Sequence, residues 1–419
     1  MRISRSTRSI GLALVSSLLL SGTMIGAEAA NAAAVNTVVA TVNVGFNPGA
    51  VAVTPNGRYA YVIAGTDSVS VIDTSSNTVT ATIGGFNVPQ GIAITPDGQY
   101  AYVSNYGAFG TGNTVSMIRT SDNTVVGSPL VVGNAGSGPL AIAVSPDGAY
   151  VYVSGSGSND VPTVSIIKRL DNSVTILTNF NGPKGLVVTP DSQYVYVSDF
   201  NSDTVKVIRT STNTIVAIIP VGSLGSAAGP FGVTVTPDGR FVYVTNDLQN
   251  TVSVIRVSNN TVVGSPIVTE SVPLGIAATP DGSRVLVALN GGSAVGVIST
   301  ATNTMTSTID VGESPYSIAI SSSGQFAYVS NRSSSSVSVI NLLASIPGPP
   351  PTAPMQAFVR VAGGACTAGA PSLADWQGIA SLHDTGWAAS WAQWPNNGTG
   401  GFVCVRQPYY TAAGTWSVL

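Results

Sequence analysis

Histidine is all but missing from this 419-residue chain: the single one, His383, stands far toward the C-terminal end. Imidazole is the common ligand of catalytic zinc and haem iron and the usual base of hydrolytic triads. Those arrangements are therefore excluded from everything that precedes it. Glutamate is nearly as scarce, with only Glu28, Glu270 and Glu313. Charged residues make up 8% of the chain against 44% hydrophobic, the inverse of a disordered sequence. Net charge is −3 with no basic run beyond Arg2, Arg5 and Arg8. Nucleic acid is excluded as a partner, because binding it needs a positive stripe that displaces counterions. Long apolar runs are lacking too. The one extended run, Ile10 to Leu20, is shorter than the roughly 18 residues of a retained membrane helix.

What the N-terminus does have is a cationic start, that apolar run, and two small-x-small sites, Ala27-Glu28-Ala29 and Ala30-Asn31-Ala32. This is the pattern of an export signal, expected over residues 1–32, with the mature chain starting at Ala30 or Ala33. The product is expected to be secreted or extracytoplasmic, with no transmembrane segment. No cysteine lies at the cleavage region to carry a lipid.

A repeat fills the next 300 or so residues. Each copy reads as an apolar strand, a Thr-Pro-Asp-Gly turn, an aromatic-rich strand, a Thr-Val-Ser-Val-Ile strand and an Asn-Thr-Val strand. The turn prolines are Pro55, Pro96, Pro146, Pro190, Pro237 and Pro280, with Ser322 in the seventh place, spaced 41 to 50 residues apart. Four short alternating strands at such a period predict the blades of a β-propeller, here seven. Small residues stand at matching inner-strand positions, Ala50, Gly91, Ala141, Gly185, Gly232, Gly275 and Ser317, where blades converge on an axis. The seventh repeat lacks its own Asn-Thr-Val strand, and a spare copy sits in front at Asn36-Thr37-Val38-Val39. That strand is predicted to complete the last blade and leave no open edge. The fold class is thus all-β, a seven-bladed propeller over 33–343.

Tyr243-Val244-Thr245-Asn246, with Tyr102-Val103-Ser104-Asn105, Tyr196-Val197-Ser198-Asp199 and Tyr328-Val329-Ser330-Asn331, resembles the signature of the YVTN β-propeller repeats over residues 36–342. The resemblance implies an extracellular or periplasmic protein, often at a cell surface. Two copies depart from it: the sixth has Leu286 for tyrosine, and the first ends in Ile63-Ala64.

Extra residues between repeats fall at 106–112, 134–138, 155–161 and 223–229, all in loops of one face of the ring. Loops on a rigid scaffold concentrate binding, so this face is the expected binding face. Its central mouth is lined by the residue after each strand-leading position: Gly49, Gln90, Leu140, Lys184, Phe231, Leu274 and Tyr316. Gln90, Lys184, Phe231 and Tyr316 are the candidate binding residues there. Asp199 and Asp203 form an oxygen-bearing loop that, for calcium, falls short of the six or more ligands required. Most other aspartates, Asp97, Asp147, Asp191, Asp238 and Asp281, read as turn caps. Catalytic residues, a metal and a cofactor are not expected.

Residues 344–355 are a proline-rich, stiff linker. Beyond it, 356–419 hold both cysteines and all five tryptophans. In an exported chain Cys366 and Cys404 are expected to pair and staple a small domain. Trp387, Trp391 and Trp394 are candidates for a sugar-binding surface, against the alternative of core packing. The functional expectation is a monomeric, non-catalytic scaffold that binds a protein or glycan partner. The alternatives are a lactonase-like propeller hydrolase or lyase, and an accessory subunit of a periplasmic redox complex.

Overall fold

The structure, a computed structural model, describes residues 35–157, 162–223 and 225–343, together with short strands at 357–360, 402–405, 409–410 and 416–417. Seven antiparallel sheets form the blades, numbered here by their inner strands. Blades 1 to 4 begin at Val51–Val53, Pro89–Ile94, Pro139–Val144 and Pro183–Val188. Blades 5 to 7 begin at Pro230–Val235, Pro273–Ala278 and Pro315–Ile320. Blade 7 takes its outer strand from the other end of the chain. Thr37–Asn43 pairs antiparallel with Ser336–Asn341, Thr37 opposite Asn341, so the ring closes as the spare repeat predicted. The outer strand of blade 5 is split into Thr261–Val262 and Ile267–Val268, both paired with the strand before them. The repeat did not announce that break; Gly264 at φ +67 and Pro266 interrupt the ladder there.

Local chemistry explains the blade. At the turn of blade 5 the Thr236 hydroxyl bonds the Asp238 carboxylate. Asp238 accepts from the Arg240 N–H at 3.0 Å, and the Phe241 N–H donates to Thr236 at 3.1 Å. The Thr236 hydroxyl, then the Arg240 N–H, hold the Asp238 carboxyl below its usual range. Gly239 completes the turn at φ +69, open to glycine at no steric cost. On the same face of the ring, beside the outer strand of each blade, Asn36, Asn77, Asn123, Asn172, Asn213, Asn260 and Asn303 all sit in the left-handed region, which asparagine tolerates.

The Tyr-Val-Thr-Asn letters each join one element to another. Tyrosine reaches the next blade's outer turn: Tyr61 to Asn123 at 2.5 Å, Tyr196 to Asn260 at 2.6 Å, Tyr243 to Asn303 at 2.5 Å. Valine is fully buried in the apolar layer between blades, as with Val197 and Val244. The hydroxyl residue donates to the next blade's inner-strand carbonyl, as Ser104 does to Leu140 at 2.6 Å and Thr245 to Leu274 at 2.9 Å. Asparagine ties its own strand to the next, Asn246 Nδ2 donating to Thr251 and Ser253 at 2.9 Å each. Net, each such bond contributes about 1 kcal/mol. Small inner residues allow the approach: a Cβ on Gly232 would lie 2.2 Å from the Leu274 oxygen.

The C-terminal residues 346–419 form a second unit. In it Ala357–Arg360 pairs with Phe402–Val405, placing Phe358 opposite Cys404, and Tyr409–Tyr410 pairs with Trp416–Ser417. Cys366, Trp387, Trp391, Trp394 and the linker lie outside the described residues, and so does the expected disulfide. Among the described residues no helix is long and apolar enough to cross a membrane.

Candidate functional site

Six inner strands open with proline, and each proline pairs with the last residue of the second strand: Pro89 with Asn105, Pro183 with Asp199, Pro230 with Asn246, Pro315 with Asn331. That register sets two tiers of side chains at the mouth on the looped face. The first is the ring expected from sequence, from Gly49 to Tyr316. The second comes just after each second strand: Gly65, Tyr106, Ser156, Phe200, Asp247, Asn290 and Arg332. The hydroxyls of the repeat motif grip the main-chain carbonyls of first-tier residues. Ser154 donates to Lys184 O and Ser198 to Phe231 O, each at 2.6 Å. Scaffold bonding thereby fixes the backbone of the site.

Lys184 and Asp247 form one polar centre. Lys184 Nζ is 3.0 Å from Ser156 Oγ and 5.7 Å from the Phe200 ring centroid. Burial pulls the Lys184 ammonium below its usual range, and the Asp247 charge partly restores it. Burial likewise raises the Asp247 carboxyl above the usual carboxylate range, and Lys184 draws it back down. Each charge is thus desolvated and partly offset by the other.

Arg332 forms the second centre. Its guanidinium carbon lies 3.3 Å from the Tyr316 ring centroid, and Tyr316 meets Phe231 edge-on with centroids 6.1 Å apart. Its Nη2 reaches toward Gln90 Oε1 at 3.5 Å, while its Nε is buried without a hydrogen-bond partner. Gln90, Tyr316 and Phe231 thus gather around Arg332, while Lys184 stands with Ser156 and Phe200. The first-tier ring offers one cation and no carboxylate; the second tier supplies Arg332 and Asp247. The signal for both was positional, one residue past the Tyr-Val-Thr-Asn motif.

The Asp199–Asp203 loop is used differently. Asp199 is fully buried, paired with Lys206 Nζ at 2.7 Å, and accepts from the Asn181 N–H at 2.6 Å. Lys206 also bonds the Asn179 carbonyl. Asp203 accepts from the Ala228 and Gly229 N–H groups at 2.7 and 3.0 Å. The two carboxylates are committed to separate partners, and no group of three or more potential ligands gathers among the described residues.

A family model described as a seven-bladed β-propeller lactonase matches residues 29–310. It is a propeller family, though not specifically that of the YVTN repeats, and the match stops at the end of blade 6. Among curated proteins the sequence finds no match. Among solved structures, a chain of Kuenenia stuttgartiensis hydrazine synthase superposes with a TM-score of 0.62 at 20% identity, covering 71% of this chain and 96% of that one. At such identity the likeness is one of fold.

Proposed function

The chain belongs to the seven-bladed β-propeller lactonase family, and from that premise we propose that it is an exported binding propeller whose looped face takes a polar ligand at the channel mouth. The observation that carries this reading is the double tier itself. Lys184, Asp247, Arg332 and Gln90 are set among Phe200, Phe231, Tyr106 and Tyr316, a mixture suited to a sugar or peptide surface. The export signal over 1–32 supports a place outside the cytoplasm, at or beyond the cell surface, and the Trp-rich tail would add a second contact.

A second reading draws on Asp247 and the family. A carboxylate whose proton affinity is raised is a better base than an ordinary one. Beside a bound lactone it would take a proton from water as the water oxygen attacks the carbonyl carbon. The ring C–O bond would then break, and the alkoxide leaving group would take up the proton. Lys184 or Arg332 would stabilise the oxyanion. The likeness to the hydrazine synthase chain rests on fold and gives no residue a redox role.

A glycan array probed with the full-length chain, beside acid release from δ- and γ-lactones, separates the two. Binding is expected to glycans and to be lost in Lys184→Ala and Tyr316→Ala, with lactone opening no faster than in buffer. Lactone turnover that Asp247→Asn abolishes, with no glycan retained, would replace the binding reading by the hydrolytic one. Fractionation of the native protein into washed cells and medium tests the export.

A further inference from the structure

Blade 1 is unlike its six neighbours at the mouth. It contributes glycine to both tiers, Gly49 and Gly65, where every other blade presents at least one larger side chain. A Cβ built on Gly49 would press on Ile63 at 3.2 Å, whereas one on Gly65 would meet only the Phe46 carbonyl oxygen at 3.8 Å, so the notch lies at the Gly65 tier. Blades 7 and 2 flank it. Arg332 of blade 7 leans across toward Gln90 of blade 2, the two heads 3.5 Å apart.

Arg332 is held but not neutralised. Tyr316 covers one face of its guanidinium, and its main-chain N–H donates to the Ser314 carbonyl at 3.0 Å. Among the described residues it takes part in none of the ion pairs, and its buried Nε has no partner. The acids of the adjoining loops, Asp67 and Glu313, are exposed, and neither forms an ion pair with it. With its face stacked, the group presents an edge: a planar fork that matches two oxygens of one oxyanion. The Phe46 carbonyl accepts from the Gly65 N–H at 2.6 Å and holds the floor of the notch, and the Phe46 residue is 76% exposed.

We propose that the blade 1 notch binds the oxyanion end of a small ligand, a carboxylate or phosphate, with Arg332 as anchor and Gln90 as second donor. The proposal rests on reading the mouth as the binding face and adds the ligand class.

Calorimetric titration of the full chain with D-glucuronate, glucose 1-phosphate, methyl glucuronate and glucose tests it. The two anions are expected to bind, the carboxylate and phosphate arms showing which oxyanion is preferred, and the two neutral sugars at least tenfold more weakly. Arg332→Gln should weaken anion binding at least tenfold. Arg332→Lys, a charge without the fork, should fall between, and Arg256→Gln on the opposite face should match the parent. Gln90→Ala, expected to weaken binding several-fold, gives an independent reading if an Arg332 variant unfolds. Anion binding that survives in Arg332→Gln, or a folded parent that binds neither anion, would overturn the proposal. The second result with glycan binding intact removes the notch and leaves the broader reading standing.

Discussion

Arg284 donates from Nη1 to the side-chain oxygen of Asn36 at 2.9 Å, joining blade 6 to the first strand of the chain. Its Nη2 donates to the Leu342 carbonyl at 3.0 Å, just past the strand Ser336–Asn341 of blade 7. In blades 1, 4 and 5 a motif tyrosine bonds the asparagine of the next blade. Blade 6 has Leu286 at that position, and Arg284 supplies the missing donor across both chain ends.

Replacing Arg284 by methionine is expected to destabilise the propeller by about 2 kcal/mol, the range for hydrogen bonds to a charged donor. Urea unfolding measures it. In a double-mutant cycle with Asn36→Ala the two losses should be less than additive. Full additivity would mean the pair does not act as a clasp.

Two tyrosines in matching positions should respond differently to the same change. Tyr243 bonds Asn303, whereas the buried Tyr152 hydroxyl and the Asn213 oxygen make no hydrogen bond. Tyr243→Phe is expected to cost about 1 kcal/mol, and Tyr152→Phe to be neutral or slightly stabilising. Equal losses in denaturant titrations would contradict the assignment.

Asp199→Ala is expected to cost about 3 to 5 kcal/mol, because it strands Lys206 beneath the loop without its counter-charge. Asp203→Asn, which keeps an acceptor for the two N–H groups and a side chain that tolerates φ +54, should cost about 1 kcal/mol. Unfolding curves that rank the two in reverse order would sink this account of the loop.

The propeller should weaken in alkali. Burial raises Tyr61, Tyr196 and Tyr243 to about 12, against about 10 in an unfolded chain. Below pH 10 all are protonated in both states and the stabilisation is complete. Between pH 10 and about 12 the unfolded chain ionises while the folded one does not, so stability falls. The urea midpoint should drop across that window, with the phenolate absorbance of these tyrosines appearing together with unfolding. A midpoint flat to pH 12 would be incompatible with the buried hydroxyls.

Ring number, blade order and closure were legible because the turn residues recur: Pro237-Asp238-Gly239 and its counterparts punctuate the chain at nearly fixed spacing. The first tier of the mouth was legible for the same reason, since a strand-leading position fixes where the next side chain must stand. Arg332 and Asp247 were not, because their place depends on pairing between strands, and the repeat varies most at the residue after the motif. The fate of Asp199 was hidden as well. Its partner Lys206 sits two residues into the following strand, and only the antiparallel pairing of Ser198 with Val205 and Asp199 with Thr204 brings the two heads together. The departure at Leu286 was visible, but its compensation by Arg284 needed the neighbouring blade.

The pairing of Thr37 with Asn341 also governs when the protein can finish folding. A strand made among the first must wait, unpaired, for one made about 300 residues later. Joining ends so far apart costs an entropy that grows only with the logarithm of the separation, so the equilibrium penalty is modest. The kinetic consequence is larger, since contacts of such long range form slowly. Six blades can assemble from neighbours in sequence, and the seventh cannot. A chain halted before residue 341 keeps a sticky edge at each end, so closure serves as the final checkpoint of its biogenesis.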